Sequence, residues 1–135
     1  MSLIALDFGT VKIGVAISHG FIAEAYTTLS YNEKSPENFV LSLKKIIEEQ
    51  GSKILIVGLP LGKDEKPTRQ GIWIEKNVKK IAKILDIPLK FTDESFSSSE
   101  AKSNLGKKYT KENVDAESAK IILDQYINEH PNQSL

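Results

Sequence analysis

Residues 3–8 and 13–18 are two apolar, β-branched runs joined by only four residues, Gly9-Thr10-Val11-Lys12. So short a link cannot carry a crossover, and the two runs are expected to pair as an antiparallel hairpin. The first run, Leu3-Ile4-Ala5-Leu6-Asp7-Phe8, also places one acid among apolar neighbours. A lone buried carboxylate is costly unless something pairs with it. Asp7 therefore demands a partner, and no local cation flanks it.

Further along, a third strand is expected at about 21–30, following Gly20. Ser35-Pro36 predicts a helix start with Pro at the first helical position. Phe39, Leu43, Ile46 and Ile47 share one face of that helix before Gly51 stops it. "KILIVGLP", Lys53 to Pro60, is a continuous apolar run, the pattern of a strand buried on both faces and so parallel and central. Residues 62–69 are polar and broken by Pro67, which reads as a loop. Ile74, Val78, Ile81, Ala82 and Leu85 predict a helix over about 68–85, and "PLKFTDES" predicts a strand over 88–95. In "SSSEAKSNL", Ser97 and Glu100 stand at capping-box spacing and predict a short helix. A last helix over about 113–129 puts Ala119, Ile122, Leu123 and Tyr126 on one face, and the tail after Pro131 is expected to fray. The order predicts an α/β sandwich: a mixed five-stranded sheet, three antiparallel strands then two parallel, with helices on both faces. At 135 residues this is one domain.

Eighteen basic and eighteen acidic residues cancel, so no global field draws the chain to a polyanion, and any such partner must be held locally. Cysteine is absent, which removes thiolate metal sites and disulfides and fits a reducing compartment. No apolar run approaches the roughly 20 residues that span a bilayer, and no basic leader precedes the first strand. A cytoplasmic, unprocessed protein is expected.

Three acids stand where strands end or a helix begins: Asp7, Glu94 (after Asp93) and Asp115. Ligands of open α/β sheets gather at the carboxyl ends of the parallel strands. Acids converging there would repel one another unless a hard cation sat between them, and Mg²⁺ or Mn²⁺ held by a few carboxylates suits phosphodiester hydrolysis. Taken singly, Asp115 also reads as a helix-start residue favoured by the macrodipole, and Glu94 as a solvated strand-end charge.

"ALDFGTVKIGVAIS", "IVGLPLGKD", "FTDESFSSSEA" and "VDAESAKIILDQYI" resemble, in order and spacing, the four signature blocks of the YqgF/RuvX family, small proteins with the RNase H-like fold. The resemblance covers nearly the whole chain. It implies a nuclease that processes the five-prime end of the 16S ribosomal RNA precursor, an older reading being a Holliday-junction resolvase similar to RuvC. By position it implies Asp7, Glu94 and Asp115 as the metal-binding acids. The third block departs from the usual Asp-Glu-Arg, with Ser95 in place of Arg, which removes a bidentate phosphate donor. In the usual strand order the fifth strand lies two spacings of about 4.8 Å from the first, so one ordered Mg²⁺ is expected, with a second arriving with substrate.

Lys12, Lys63, Lys66 and Arg69, the last being the chain's single arginine, are expected to contact backbone phosphates, with Lys107, Lys108 and Lys111 extending the track. Ser97 and Ser98 are expected to cap, Trp73 to pack or make an oligomer contact, and His19 and His130 to lie on the surface. RNA is the expected partner, ahead of branched DNA, with ribosomal particles or other nucleases beside it, and the chain is expected to be a monomer or weak homodimer. Two other function classes remain open at this stage. One is a non-catalytic RNA-binding assembly module, which Ser95 favours. The other is a nucleotide-binding ATPase lobe, raised by the Asp-x-Gly-Thr hairpin but opposed by length, since such proteins close two lobes on a nucleotide.

Overall fold

The hairpin forms. In the computed structural model, which describes residues 2–60, 68–93 and 111–130, β1 (Ser2–Phe8) and β2 (Lys12–His19) run antiparallel, from the pair Ser2–His19 to the pair Phe8–Ile13. Gly20, with φ at +65°, starts the tight turn into β3 (Ile22–Ser30), a conformation that side chains with a Cβ resist. Next come α1 (Glu37–Gln50), β4 (Ser52–Leu59), α2 (Arg69–Leu85), β5 (Leu89–Asp93) and a last helix, here α3 (Lys111–Glu129). The sheet order is β3-β2-β1-β4-β5, with β4 parallel to both β1 and β5. The mixed five-stranded α/β architecture is therefore as expected. The middle strand, however, is β1: β4 is interior, but strand order is set by non-local pairing that its composition does not encode.

Alternation along the strands sorts the core into two layers. Ile4, Leu6 and Phe8 of β1 and Ile13, Val15 and Ile17 of β2 pack with Phe39, Leu43 and Ile46 of α1 and Ile74, Val78 and Ile81 of α2. On the other face, Leu3, Ala5, Ala16 and Ile56 pack with Ala119, Ile122, Leu123, Tyr126 and Ile127 of α3. Small residues on that face let α3 lie close. Truncating a fully buried side chain such as Leu123 to alanine would cost about 2–5 kcal/mol.

Helix ends follow local chemistry. Pro36, φ −81°, is the N-cap of α1 and not its first helical residue, because the helix begins at Glu37. The backbone and the Ser35 hydroxyl, donating at 2.9 Å, hold the Glu37 carboxyl below its usual range. Gly51, φ +66°, closes that helix in the left-handed conformation. Thr68 Oγ1 caps α2 by accepting from Gly71 N at 3.0 Å, and it donates to Pro60 O at 3.3 Å, tying the start of α2 to the end of β4. Among the described residues no helix is long and apolar enough to cross a membrane. Most of the loop expected at 62–69, the short helix expected at 97–105 and the tail after Pro131 lie outside the described residues.

Candidate metal and nucleic-acid site

Asp7 shares the parity of Leu3 and Ala5, so it belongs to the face of the sheet that α3 covers, at the end where β1 stops. It is half-buried, while Phe8 beside it goes into the opposite layer. Across the sheet Asp7 pairs with Gly14, and Gly14 with Thr28. On the other side Leu6 pairs with Val57, so the next step places Asp7 beside Gly58, itself paired with Thr92. Glycine therefore flanks Asp7 on both neighbouring strands.

Gly14 has a second consequence. A Cβ built there would fall 1.8 Å from the carbonyl oxygen of Asp115 and 2.8 Å from the nitrogen of Ala116. Real Cβ atoms never come so close, so only glycine admits the first turns of α3 at this point. One residue thus touches both acids, Asp7 by strand pairing and Asp115 by backbone packing. Asp115 is half-buried, and its Oδ2 is out of contact with solvent. A glycine inside an apolar strand is a known sign of close backbone approach, and that was the signal in the sequence for position 14.

The third acid, Glu94, lies outside the described residues, one position past the end of β5 at Asp93. Among the described residues no three aspartate, glutamate or histidine side chains cluster.

Lys12 opens β2 on the same edge and the same face as Asp7, and its Nζ donates to Ser30 Oγ at 3.3 Å. Arg69, exposed, is the first residue of α2. The Thr68–Pro60 bond holds it at the sheet edge where β1 and β4 end, but α2 lies on the face away from α3. Arg69 thus shares an edge with the acids and not a face. Lys63, Lys66, Lys107 and Lys108, with Ser97 and Ser98, lie outside the described residues, and Lys111 opens α3. Trp73 packs at ring-centroid distances of 5.7 Å from Phe8 and 6.2 Å from Tyr31, and its Nε1 donates to Glu33 Oε2 at 2.8 Å. It is a packing residue. His19 is exposed and bonds Gln50 at 3.0 Å, and exposed His130 stacks on Tyr126.

A family model described as "RuvX: Holliday junction resolvase" matches residues 1–129. The chain belongs to the RuvX family. Curated RuvX-like relatives agree across their whole length. A protein of Buchnera aphidicola subsp. Baizongia pistaciae is 36% identical over 131 residues, covering 93% of this chain and 96% of its own. One of Chloroflexus aggregans is 33% identical over 138 residues, covering 97% and 96%. Both carry the name "Putative pre-16S rRNA nuclease". Among solved structures, T. thermophilus RuvC in complex with Holliday junction substrate superposes with a TM-score of 0.59 at 11% identity, covering 99% of this chain and 98% of that one. A second structure of Thermus thermophilus RuvC gives a TM-score of 0.54, also at 11% identity. At that identity the likeness shows the fold alone, and it is the RNase H-like fold.

Proposed function

We propose that this RuvX-family chain is a divalent-metal-dependent nuclease that hydrolyses phosphodiester bonds in the precursor of 16S ribosomal RNA, working in the cytoplasm. The observation that carries the site is the meeting of Asp7 and Asp115 at Gly14. The family and the names of its curated members support the reaction class. Glu94, the residue that follows β5 in the chain, is the third acid of the proposed set, as the family resemblance implies.

The residues fit a hard cation. Asp7 and Asp115 are both half-buried and their backbones meet at one glycine, and carboxylate oxygens brought together there would suit Mg²⁺ or Mn²⁺. When bound, the ion supplies Lewis-acid chemistry to the scissile phosphate and its attacking water. The chain's own part is positional. Asp7 is held by hydrogen-bonded strands on both sides, and Asp115 is fixed because Ala119, Ile122 and Leu123 lock α3 against the sheet. Lys12 adds a positive charge on the same face for a phosphate oxygen, and Arg69 receives the strand where it turns over the edge. No side chain serves as a covalent nucleophile. Branched DNA is the second substrate reading, favoured by the family's description.

The test is cleavage of three substrates: precursor 16S RNA, unstructured RNA and a four-way DNA junction. Each is run with and without Mn²⁺ by the parent, Asp7→Asn and Asp115→Asn. Ion-dependent cutting of the precursor is expected, with a loss of at least a hundredfold in both variants at unchanged circular dichroism. An Asp7→Asn protein that cuts like its parent would remove the mechanism. Tight RNA binding by the parent without any cutting would favour the non-catalytic assembly module.

A further inference from the structure

The basic residues of α2 are not scattered. At 100° per residue, Arg69, Lys76, Lys80 and Lys83 fall within an arc of roughly 60° and span about 21 Å of helix. All four are exposed, and none is in an ion pair among the described residues. Lys79, off that stripe, is held by Glu75 at 2.6 Å. Of the other acids nearby, Glu33 accepts the Trp73 indole N–H and Asp86 sits past the helix end as its C-cap. On a chain of zero net charge this is a concentrated cationic line.

Beside the line, between α1 and α2, lies a cavity of about 200 Å³ bordered by Tyr31, Glu33, Lys76, Asn77, Lys80 and Ile84. Val40, Ile81 and Ile84 give it one aliphatic side, and Ile84 is 68% exposed, more than a buried core would leave it. Its inner end is polar. Asn77 Oδ1 accepts from Tyr31 OH at 2.8 Å, and Asn77 Nδ2 donates to Trp73 O at 2.8 Å. A side-chain amide has two donor hydrogens and two acceptor lone pairs, so Asn77 keeps one of each for a ligand. A slot with an aliphatic side, a donor–acceptor pair at its inner end and two lysines against one glutamate, itself bonded to the Trp73 indole, matches a nucleotide: base inside, phosphates on the lysines.

The geometry points to α2 as an anchoring track for single-stranded RNA, with phosphates on Arg69, Lys76, Lys80 and Lys83 and one unstacked base between α1 and α2. The track lies on the face opposite Asp7 and Asp115 and meets their edge at Arg69. It rests on the reading of the chain as an RNA-cutting enzyme only in naming RNA as the polyanion.

The experiment measures binding of a labelled 20-nucleotide RNA to the full chain without divalent ions, across a salt series. The proteins compared are the parent, a Lys76→Ala/Lys80→Ala/Lys83→Ala variant, an Ile84→Glu variant and a Lys44→Ala/Lys45→Ala control on α1. Each phosphate contact to a single strand contributes about 0.7 to the slope of log affinity against log salt, so the triple variant should lose about 2 from it and at least tenfold in affinity at 0.1 M salt. Ile84→Glu should weaken the intact oligonucleotide more than an abasic one, and the α1 control should bind like the parent. An unchanged slope in the triple variant overturns the track, as does an equal loss in the control. If the triple variant loses polyglutamate binding as steeply as RNA, the surface reads charge alone and the nucleotide assignment falls. Asp7→Asn should bind normally; should it also cut normally, the nuclease site fails while the track stands on its own result.

Discussion

Gly14→Ala is the sharpest perturbation available, because it changes one methyl group at the point where the two acids meet. The new Cβ would lie 1.8 Å from Asp115 O, and opening that contact to the 3.0 Å that real Cβ atoms need moves the helix backbone by about 1.2 Å. The obstacle is backbone, so no side-chain rotation relieves it. A radial gap of 0.5–1 Å forfeits a quarter to a half of each dispersion contact, and α3 makes such contacts through Ala119, Ile122, Leu123, Tyr126 and Ile127. Overpacking of this kind costs about 1–3 kcal/mol, and the rigid neighbour places the value near 3. For a chain of this size that lowers the melting temperature by about 10–15 °C. Activity should fall further than stability, since a 1 Å misplacement of a reacting group costs about a hundredfold. Gly51→Ala is the control. Gly51 has open space around it but a left-handed φ of +66°, so alanine there costs about 1 kcal/mol and leaves cleavage intact. Urea denaturation and ion-dependent cleavage of both variants decide the matter. A Gly14→Ala protein within 0.5 kcal/mol of its parent, or one that cuts normally, refutes the argument.

Manganese at a hundred times its dissociation constant should stabilise the parent by about 2.7 kcal/mol, read as a thermal shift that Asp7→Asn and Asp115→Asn both abolish. An equal shift in the variants would place the ion elsewhere. Tyr31→Phe keeps the ring against Phe8 and Phe39 but strips the donor from Asn77 Oδ1, costing about 1–2 kcal/mol by urea denaturation; a loss below 0.3 would show that the bond is dispensable. Burial raises the Asp124 carboxyl pKa despite the attraction of Lys120, with Glu117 adding to the rise. The folded chain therefore holds that proton more tightly than the unfolded one, a contribution present below about pH 4 and lost as pH rises through the folded value. Asp124→Asn should be more stable than its parent at pH 7, with the difference closing in acid. A pH-independent difference would be evidence against this assignment.

What was legible in the residues was what local periodicity encodes. Apolar, β-branched runs with a short link mark β1 and β2, Gly20 marks the approach to β3, and the spacing of Ile74, Val78 and Ile81 marks α2 to within a residue. Pro36 was misplaced by one position because Pro at an N-cap and at the first helical residue both forgo an N–H that the helix does not use. The central place of β1 is legible only through the strand order that the family resemblance implies, since a continuous apolar run marks burial on both faces and β1 and β4 are alike in that respect. Arg69 was put on the right edge, but its face was out of reach of the sequence: parity separates the two sides of a sheet and does not say which one a later helix covers. Gly14 signals a close approach by standing inside an apolar strand, but what approaches is Asp115, about a hundred residues away, which local sequence does not name.

The burial of Asp7 follows from the same parity. Ile4, Leu6 and Phe8 enter the thick layer under α1 and α2, and a carboxylate at any of those positions would face aliphatic and aromatic carbon. Asp7 alternates to the other side, where Leu3 and Ala5 are covered by α3 and where the backbone of Asp115 reaches Gly14, the strand partner of Asp7. The apolar run is therefore apolar for both faces along its length, and Asp7, half-buried at its end, is where a charge is tolerated. Acids concentrate at that edge on one face, and the cations of α2 begin at the same edge on the other. A polyanion bound along α2 would reach the acids only by passing over the strand ends. Repulsion from Asp7 and Asp115 opposes that approach until a divalent ion reverses the local sign, so binding along α2 and cutting at the edge should separate experimentally by ion alone.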